Sequence, residues 1–310
     1  MTLRALLNRS SNLMLVVGAT TAGVLLPRID AVQTLTVPIV AFLIYISLKD
    51  IKFRNIQSTF EAKPVISVFL VSYVTLPVAA FLLAPALADP QSRIGLYIVA
   101  ASPMTAGSSI VWTKLSGGDV ELASVLAIVS ILASPIITPF ILSFLAGSTV
   151  QLSPNTVIKD LLLIIGCGVT LQFVVPNNAL SELQLNYGAR ASIAILVYSS
   201  VSQLGIKSLG TNISAVLGTT GTLLLVGFLA SLSLYRVINL VPRTFAAVFF
   251  SGSLKNLGVA LLIVSVLDVP QATLVIVSYY IFQQLVSAVT ADFLFPQILS
   301  FTTETNSPAD

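Results

Sequence analysis

The sequence predicts an all-α polytopic membrane protein in which ten transmembrane helices form two inverted five-helix repeats. The 310 residues are 56% hydrophobic and only 9% charged, which is about a third of the charge of an average soluble domain. The apolar residues fall into ten stretches of about the length that a bilayer requires. One stretch in each half is interrupted by polar residues at the same relative position, which is typical of inverted repeats with discontinuous helices.

The composition excludes several classes of protein. The chain has no histidine and a single cysteine, Cys167, so His-based acid–base chemistry, zinc sites and internal disulfides are not expected. The sequence contains no Ser/His arrangement and no pair of intramembrane carboxylates, so an intramembrane enzyme is not expected. The sequence also lacks a Gly-x-x-x-x-Gly-Lys-Ser/Thr loop, so an ATP-driven pump is not expected. The net charge of +3 is attributed to membrane topology and not to nucleic-acid binding.

The spans follow from a requirement of about 20 mainly apolar residues each. They are predicted near 11–27, 31–48, 64–87, 93–115, 120–146, 157–175, 188–206, 213–235, 244–267 and 271–295. Arg4 and Arg9 followed by an apolar run resemble the start of a signal peptide. The apolar run continues through Leu26, however, which favours a transmembrane span. The polar tail 302–310 is predicted to be disordered.

Lysine and arginine residues are distributed unevenly between the two sides of these spans. Ten lie on the side of the N-terminus: Arg4, Arg9, Lys49, Lys52, Arg54, Lys63, Lys114, Arg190, Arg236 and Arg243. Four lie on the other side: Arg28, Arg93, Lys159 and Lys207. Because cytoplasmic loops carry the excess, both termini are predicted to be cytoplasmic in a bacterial-type plasma (inner) membrane.

The spans divide into two sets of five around the polar stretch 147–156. Repeat one covers about 11–146 and repeat two about 157–295, so that 1–310 is a single transmembrane domain. An odd number of spans per repeat places the repeats in opposite orientations, and binding sites in such proteins lie near the bilayer midplane on broken helices.

Span four is predicted to break at Pro103, because proline lacks an N–H donor and clashes with the preceding turn. Thr105, Gly107, Ser108 and Ser109 follow it and offer hydroxyls and accessible backbone. Freed oxygens suit a small cation, and a helix N-terminus near Gly107 would attract an anion. A proline kink with serines bonded to their own helix is an equally supported alternative.

Span nine carries Lys255, the only lysine or arginine near the middle of a predicted span. Its polar residues are Ser251, Ser253, Lys255 and Asn256. A charge near the centre of a span costs a few kcal/mol, at least about 2.5, and usually marks a functional site. Three roles remain open for Lys255: a countercharge for an anionic substrate, a proton-exchanging group, or an ammonium in the place of a metal cation. A structural ion pair with Asp292 or Glu121 is the alternative.

Three residues of neighbouring spans complete the predicted substrate- and ion-binding set. Ser124 in span five, like Ser130 and Ser134 of the same span, lies within reach of the break in span four if the two helices pack antiparallel. Gln283 and Gln284 in span ten are predicted lining residues. The alternative for all three is that they pack or tie helices together, as small and polar residues commonly do in membranes.

These motifs resemble a known family. Pro103-x-x-x-Gly107-Ser108-Ser109 and the later Ser134-Pro135-x-x-Thr138-Pro139 resemble helices four and five of the bile acid:sodium symporter (BASS) superfamily. Gly252-x-x-Lys255-Asn256-x-Gly258 is similar to its ninth-helix motif. The resemblance implies ten helices in a panel and a core domain, with helices four and nine unwound and crossing at the substrate site. It also implies alternating access, usually for sodium-driven uptake of organic anions.

The chain departs from sodium symporters of that family in helices four, five and nine, and most clearly at two positions of the ninth-helix motif. Ser251 stands where they have a glutamate, and Lys255 stands where they have a glutamine. Sodium sites at the crossing would therefore lose an acidic ligand and gain a positive charge. Sodium remains a possible cofactor, and Ser108, Ser109 and Ser124 are the hydroxyls predicted to ligate it.

The sequence therefore predicts a secondary active transporter of a small organic anion, coupled to sodium or protons, with Lys255 at the helix crossing. Its expected partners are that anion and the lipid bilayer. The alternatives are an auxin-carrier-like transporter, or a non-transporting membrane sensor of the same fold.

Overall fold

The computed structural model describes residues 3–26, 29, 34–49, 62–147, 154–176, 179–202 and 213–295, which form twelve helices and no regular strand. The helices are α1 (Leu3–Leu25), α2 (Thr36–Lys49), α3 (Ala62–Ala86), α4 (Pro90–Ala101), α5 (Ala106–Leu115), α6 (Val120–Ala146), α7 (Pro154–Val174), α8 (Glu182–Val201), α9 (Ile213–Ile238), α10 (Pro242–Ser253), α11 (Leu257–Leu267) and α12 (Ala272–Leu294).

Within the described ranges, four helices are long and apolar enough to cross a membrane, namely α3, α6, α9 and α12. Shorter apolar helices cover Met14–Leu25, Thr36–Ser47 and Leu257–Leu267. Phe140 and Phe144 of α6 are 74% and 82% exposed. Large apolar side chains that face outward suit an apolar lipid environment. Helices also suit that environment, because each helix satisfies its own backbone hydrogen bonds. The all-α class predicted from the sequence is confirmed.

The breaks in the predicted spans four and nine are both present. The fourth stretch is divided into α4 and α5 by residues 102–105, and the ninth into α10 and α11 by residues 254–256. The helices on either side of each break are only 10 to 12 residues long. Each is therefore too short to cross a bilayer by itself.

Some predicted boundaries are wrong. The seventh span was expected near 188–206, but α8 begins at Glu182, where Ser181 and Gln184 form a reciprocal capping box. A hydropathy rule ignores such polar first turns, although capping makes them helical. Helix α1 likewise begins at Leu3 and not near residue 11. Residues 31–33, residues 203–206 and the tail 302–310 lie outside the described residues.

The helices pack as two groups. In one group α1 packs on α8 and α2 packs on α7, and in the other the two broken stretches pack among α3, α6, α9 and α12. The groups meet where α7 packs on α6 and where α11 packs on α2, α7 and α8. Close approaches within each group depend on glycine: a Cβ on Gly168 of α7 would lie 2.6 Å from Ile44 Cγ2 of α2. Likewise, a Cβ on Gly95 of α4 would lie 2.8 Å from the carbonyl oxygen of Ala272 in α12.

Gly95→Ala should destabilise the protein, because the new methyl meets backbone of α12 and not the flexible end of a side chain. Overpacking of this kind costs about 1–3 kcal/mol. We expect a lower melting temperature of the detergent-purified protein. Gly218→Ala in α9 is the matched control, since a Cβ there has no atom within 4 Å and alanine favours the helix. Equal melting temperatures for the two variants would contradict the close α4–α12 packing.

Candidate functional site

Ser102 and Pro103 cause the first break, which separates α4 from α5. Ser102 is extended, with ψ of 150°, as the residue before a proline prefers. Its N–H donates to the carbonyl of Ile98 at 2.9 Å, and its hydroxyl donates to the same oxygen at 2.7 Å. After Pro103 the chain remains extended as far as Thr105, and α5 begins at Ala106. The last carbonyls of α4 are thereby left without donors from the helix itself.

The second break ends in a capped helix. Leu254 is extended, with ψ of 126°, and Asn256 is the N-cap of α11, where its side-chain oxygen accepts from the N–H of Val259 at 3.1 Å. Asparagine is among the strongest N-cap residues because its side chain satisfies a free N–H of the first turn. Asn256 therefore restarts the helix after the break.

The two extended segments cross and pair with each other. The N–H of Thr105 donates to the carbonyl of Leu254 at 3.2 Å, and the N–H of Asn256 donates to the carbonyl of Pro103 at 2.9 Å. Met104 and Lys255 form an antiparallel bridge between these bonds. The backbone groups that the breaks release are thus partly satisfied by one another, which fixes the crossing point.

The ammonium of Lys255 lies in a cage of neutral oxygens. Its Nζ donates to the carbonyl of Ser72 at 2.9 Å, to the hydroxyl of Ser72 at 2.7 Å, to the carbonyl of Ala100 at 2.9 Å and to the carbonyl of Ser102 at 3.0 Å. Nζ also lies 5.0 Å from the ring centroid of Tyr73, a cation–π distance. Lys255 is only 3% exposed. We call these four oxygens the ammonium cage.

Each carbonyl of the cage is free for a local reason. In α3 the turn at Val71–Thr75 is wide, so the N–H of Leu76 reaches the carbonyl of Val71, and Pro77 has no N–H to offer Ser72. Ala100 belongs to the last turn of α4, and Ser102 lies in the break. Lys255 therefore supplies donors that the chain itself cannot supply at these places. A cation at the end of α4 also complements the helix dipole.

Among the residues that the structure describes, no carboxylate takes part in the ammonium cage. All the hydrogen-bond acceptors of Nζ are backbone carbonyls or a hydroxyl, so the ion pair with Asp292 or Glu121 considered from the sequence is not formed. The side chain reaches α3 and the end of α4, a direction that could not be predicted from the sequence.

Helix α12 holds the backbone of the second break. The side-chain oxygen of Gln283 accepts from the N–H of Lys255 at 3.0 Å, and its NH₂ donates to the carbonyl of Lys255 at 3.2 Å. The hydroxyl of Tyr279 donates to the carbonyl of Ser253 at 2.7 Å. Gln283 is 1% exposed, so its structural effect here is to fix the backbone of Lys255.

Helix α6 supports the first break in the same way. The hydroxyl of Ser130 accepts from the N–H of Met104 at 2.8 Å and lies 2.6 Å from the hydroxyl of Tyr73. The hydroxyl of Thr138 donates to the carbonyl of Ala101 at 2.8 Å. Ser130 was expected within reach of this break, and its hydroxyl does contact it. Sequence reasoning missed Ser72 and Tyr73 as parts of the site, because a serine hydroxyl in an apolar helix usually bonds to its own helix and nothing in the sequence shows which residues of span three face the break.

A second polar cluster joins α5 to α12. The NH₂ of Gln284 donates to the hydroxyl of Ser108 at 2.7 Å, and its side-chain oxygen accepts from the indole N–H of Trp112 at 3.0 Å. Ser108 is half-buried and the neighbouring Gly107 is exposed. A Cβ at Gly107 would have no atom within 4 Å. The start of α5 is therefore open, beside polar groups held in place.

The remaining predicted residues fall into two classes. The hydroxyls of Ser109 and Ser124 donate to carbonyls of their own chain one turn earlier, at Thr105 and Val120. The hydroxyls of Ser251 and Ser253 are buried without a hydrogen-bond partner. The structure therefore does not gather Ser108, Ser109 and Ser124 around a common point through hydrogen bonds, and a sodium site formed by them stays a prediction.

Comparison with known proteins identifies related chains. A family model described as the SBF-like CPA transporter family matches residues 13–298. A protein of Pseudomonas aeruginosa described as uncharacterized protein PA2026 is 28% identical over 212 residues, which cover 62% of each chain. The uncharacterized protein YbaS of Bacillus subtilis is 22% identical over 208 residues, which cover 64% of this chain and 68% of YbaS. The matches thus span about two thirds of these relatives or slightly less.

Gln283→Leu should destabilise the protein, because it leaves the N–H and the carbonyl of Lys255 buried without partners. Each such group costs about 1–3 kcal/mol, so we expect the two together to lower the free energy of unfolding by about 2–6 kcal/mol. Gln271→Leu is the control, since the Gln271 side chain makes no capping hydrogen bond at the start of α12. If thermal unfolding shows the same loss for both variants, Gln283 does not hold the break.

Proposed function

The chain belongs to the SBF-like CPA transporter family, and we propose that it is a secondary active transporter that moves a small organic anion by alternating access. Family membership makes it a membrane transporter. The substrate class, the coupling ion and the roles of individual residues are our proposal, and the geometry of the crossing supports them as follows.

The proposed architecture has ten spans in two inverted repeats. In it, α4 with α5 forms the fourth span, α10 with α11 forms the ninth, and the repeats cover about 11–146 and 157–295. The matching position of the two breaks supports this arrangement, because discontinuous helices in inverted repeats form midplane binding sites. The uneven distribution of lysine and arginine supports cytoplasmic termini in a bacterial-type inner membrane.

The observation that carries the proposal is the positive charge at the crossing. Lys255 brings an ammonium whose hydrogen-bond acceptors are all neutral. The helices α5 and α11 both begin at the crossing, so their positive dipole ends point toward it. In a membrane interior these charges are weakly screened, and an anion is the ligand that they favour.

The proposed anion contacts lie at the open start of α5. Lys255 is too deeply buried to touch a ligand, so it acts through its field. Gly107 and Ser108 present accessible backbone and a hydroxyl, and Asn256 is partly exposed across the crossing. Ser108 is held by Gln284, which keeps the hydroxyl oriented before a ligand arrives.

The packing suggests which parts would move. The group α1, α2, α7 and α8 would act as the panel, and the group with the broken helices as the core. At one place where they meet, Gly258 at the start of α11 lies beside Leu43 of α2 and Leu196 of α8. A Cβ added at Gly258 would lie 3.3 Å from Leu43 Cδ1 and 4.0 Å from Leu196 Cδ1. An apolar contact has no directional bonds to break, so it suits sliding of one group past the other.

Either sodium or protons would drive the transport. Ser108, Ser109 and Ser124 are the proposed sodium ligands, and the hydroxyls of Ser109 and Ser124 would have to leave their helix carbonyls to bind the ion. Proton coupling needs no such rearrangement. The salt conditions of the experiment below separate the two drivers.

Small organic acids should raise the melting temperature of the purified protein, and their uncharged amides should not, because a ligand that binds the folded state stabilises it. Ser108→Ala should weaken that binding about 2- to 10-fold, the equivalent of one hydrogen bond. Ser143→Ala is the control, since its hydroxyl bonds only to the carbonyl of Pro139 in its own helix. Uptake by proteoliposomes in sodium, in choline and across a pH gradient then identifies the driver.

Stabilisation by the amides as strongly as by the acids would contradict the anion preference. Complete absence of binding and uptake, with wild-type behaviour retained by Lys255→Ala, would favour the sensor of the same fold over a transporter.

A further inference from the structure

The ammonium cage has the composition of a cation site. Its ligands are three backbone carbonyls and one hydroxyl, at 2.7–3.0 Å from Nζ. Rings of backbone carbonyls replace the hydration shell of monovalent cations in ion-selective pores. The cage distances exceed the about 2.3–2.6 Å of oxygens around Ca²⁺, so the cage fits a cation of the size of ammonium or potassium.

We infer that the ammonium cage is a monovalent-cation site that the protein fills with its own tethered ammonium. Without a cation, the oxygens of Ser72, Ala100 and Ser102 would be buried with no hydrogen-bond donor. They lie on the wide turn of α3, on the end of α4 and in the break, so a cation there ties three separate pieces of backbone together. Tyr73 covers the cage with its ring.

The arrangement fits a fixed cation better than an exchangeable one. Lys255 is tied to α12 through both its backbone N–H and its carbonyl by Gln283. The ammonium has three N–H donors, and four oxygens surround it, so every donor has an acceptor. A free ion would have to enter and leave a place where Lys255 itself is only 3% exposed, whereas a tethered ammonium does not have to enter.

The inference has a consequence for coupling, which rests on the proposed transport function. A tethered ammonium holds the end of α4 and the turn of α3 together in the absence of any bound ion. The wild-type protein should therefore need no sodium or potassium at this place in order to form the crossing, and an ion requirement should appear only when the side chain is shortened.

The test is the melting temperature of purified variants in ammonium, potassium, sodium or choline chloride at equal ionic strength. Lys255→Ala opens the cage, so ammonium and potassium should raise its melting temperature by about 2–4 °C over choline at tenfold excess over the dissociation constant. Ser72→Ala combined with Lys255→Ala should reduce that shift, since one of the four oxygens is lost. Wild-type protein should melt at the same temperature in all four salts.

Two controls separate the cage from general effects. Lys255→Met fills the same space with an unbranched neutral chain, so it should be destabilised and should not respond to any cation. Lys114→Ala removes an exposed lysine at the end of α5 and should behave like wild type. If Lys255→Ala cannot be purified in choline but can be purified in ammonium, that result also supports a cation site.

The inference is overturned if folded Lys255→Ala melts alike in all four salts, or if Lys255→Met responds as strongly as Lys255→Ala. If neither variant folds in any salt, the melting temperature of the wild-type protein decides. A wild-type melting temperature that depends on potassium or sodium would contradict a tethered cation. A wild-type melting temperature that is the same in all four salts would agree with one. None of these measurements uses an organic acid, so failure here is distinct from failure of the proposed anion transport.

Discussion

The crossing of the two broken stretches depends on donors for carbonyls that no helix can satisfy. A proline at position 103, a wide turn in α3 before Pro77 and the end of α4 release these oxygens inside an apolar protein, where an unsatisfied carbonyl is costly. Lys255 supplies the donors from a single ammonium. The same contact offsets the cost of burying the charge, because the charge is surrounded by oriented carbonyl dipoles.

A binding-site lysine is usually expected both to build its site and to contact the ligand, and this arrangement separates those two roles. The ammonium is enclosed on the side of α3 and α4, while the open polar groups lie at the start of α5, near Gly107 and Ser108. Lys255 therefore builds the crossing and sets its positive potential, and other groups are left to contact a ligand. The side chains of Ser130 on α6 and Gln283 on α12 hydrogen-bond to the backbone of the crossing.

The sequence allowed the breaks to be located, because proline, clustered small polar residues and a lysine in an apolar stretch each have strong local consequences. It did not allow the direction of the Lys255 side chain to be found, since that depends on how α3 packs beside the crossing. Ser72 and Ser130 looked like ordinary helix hydroxyls, and only tertiary contacts distinguish them. Helix starts such as Glu182 were placed too late because hydropathy does not register a capping box.

Crystals of Lys255→Ala grown with thallium(I) would test the central claim most directly, because that ion is monovalent and its anomalous scattering locates it. The account predicts an anomalous peak within bonding distance of the oxygens of Ser72, Ala100 and Ser102, and no peak there in wild-type crystals grown in the same way. A Lys255→Ala structure in which these oxygens keep their positions while thallium is absent from between them would contradict it.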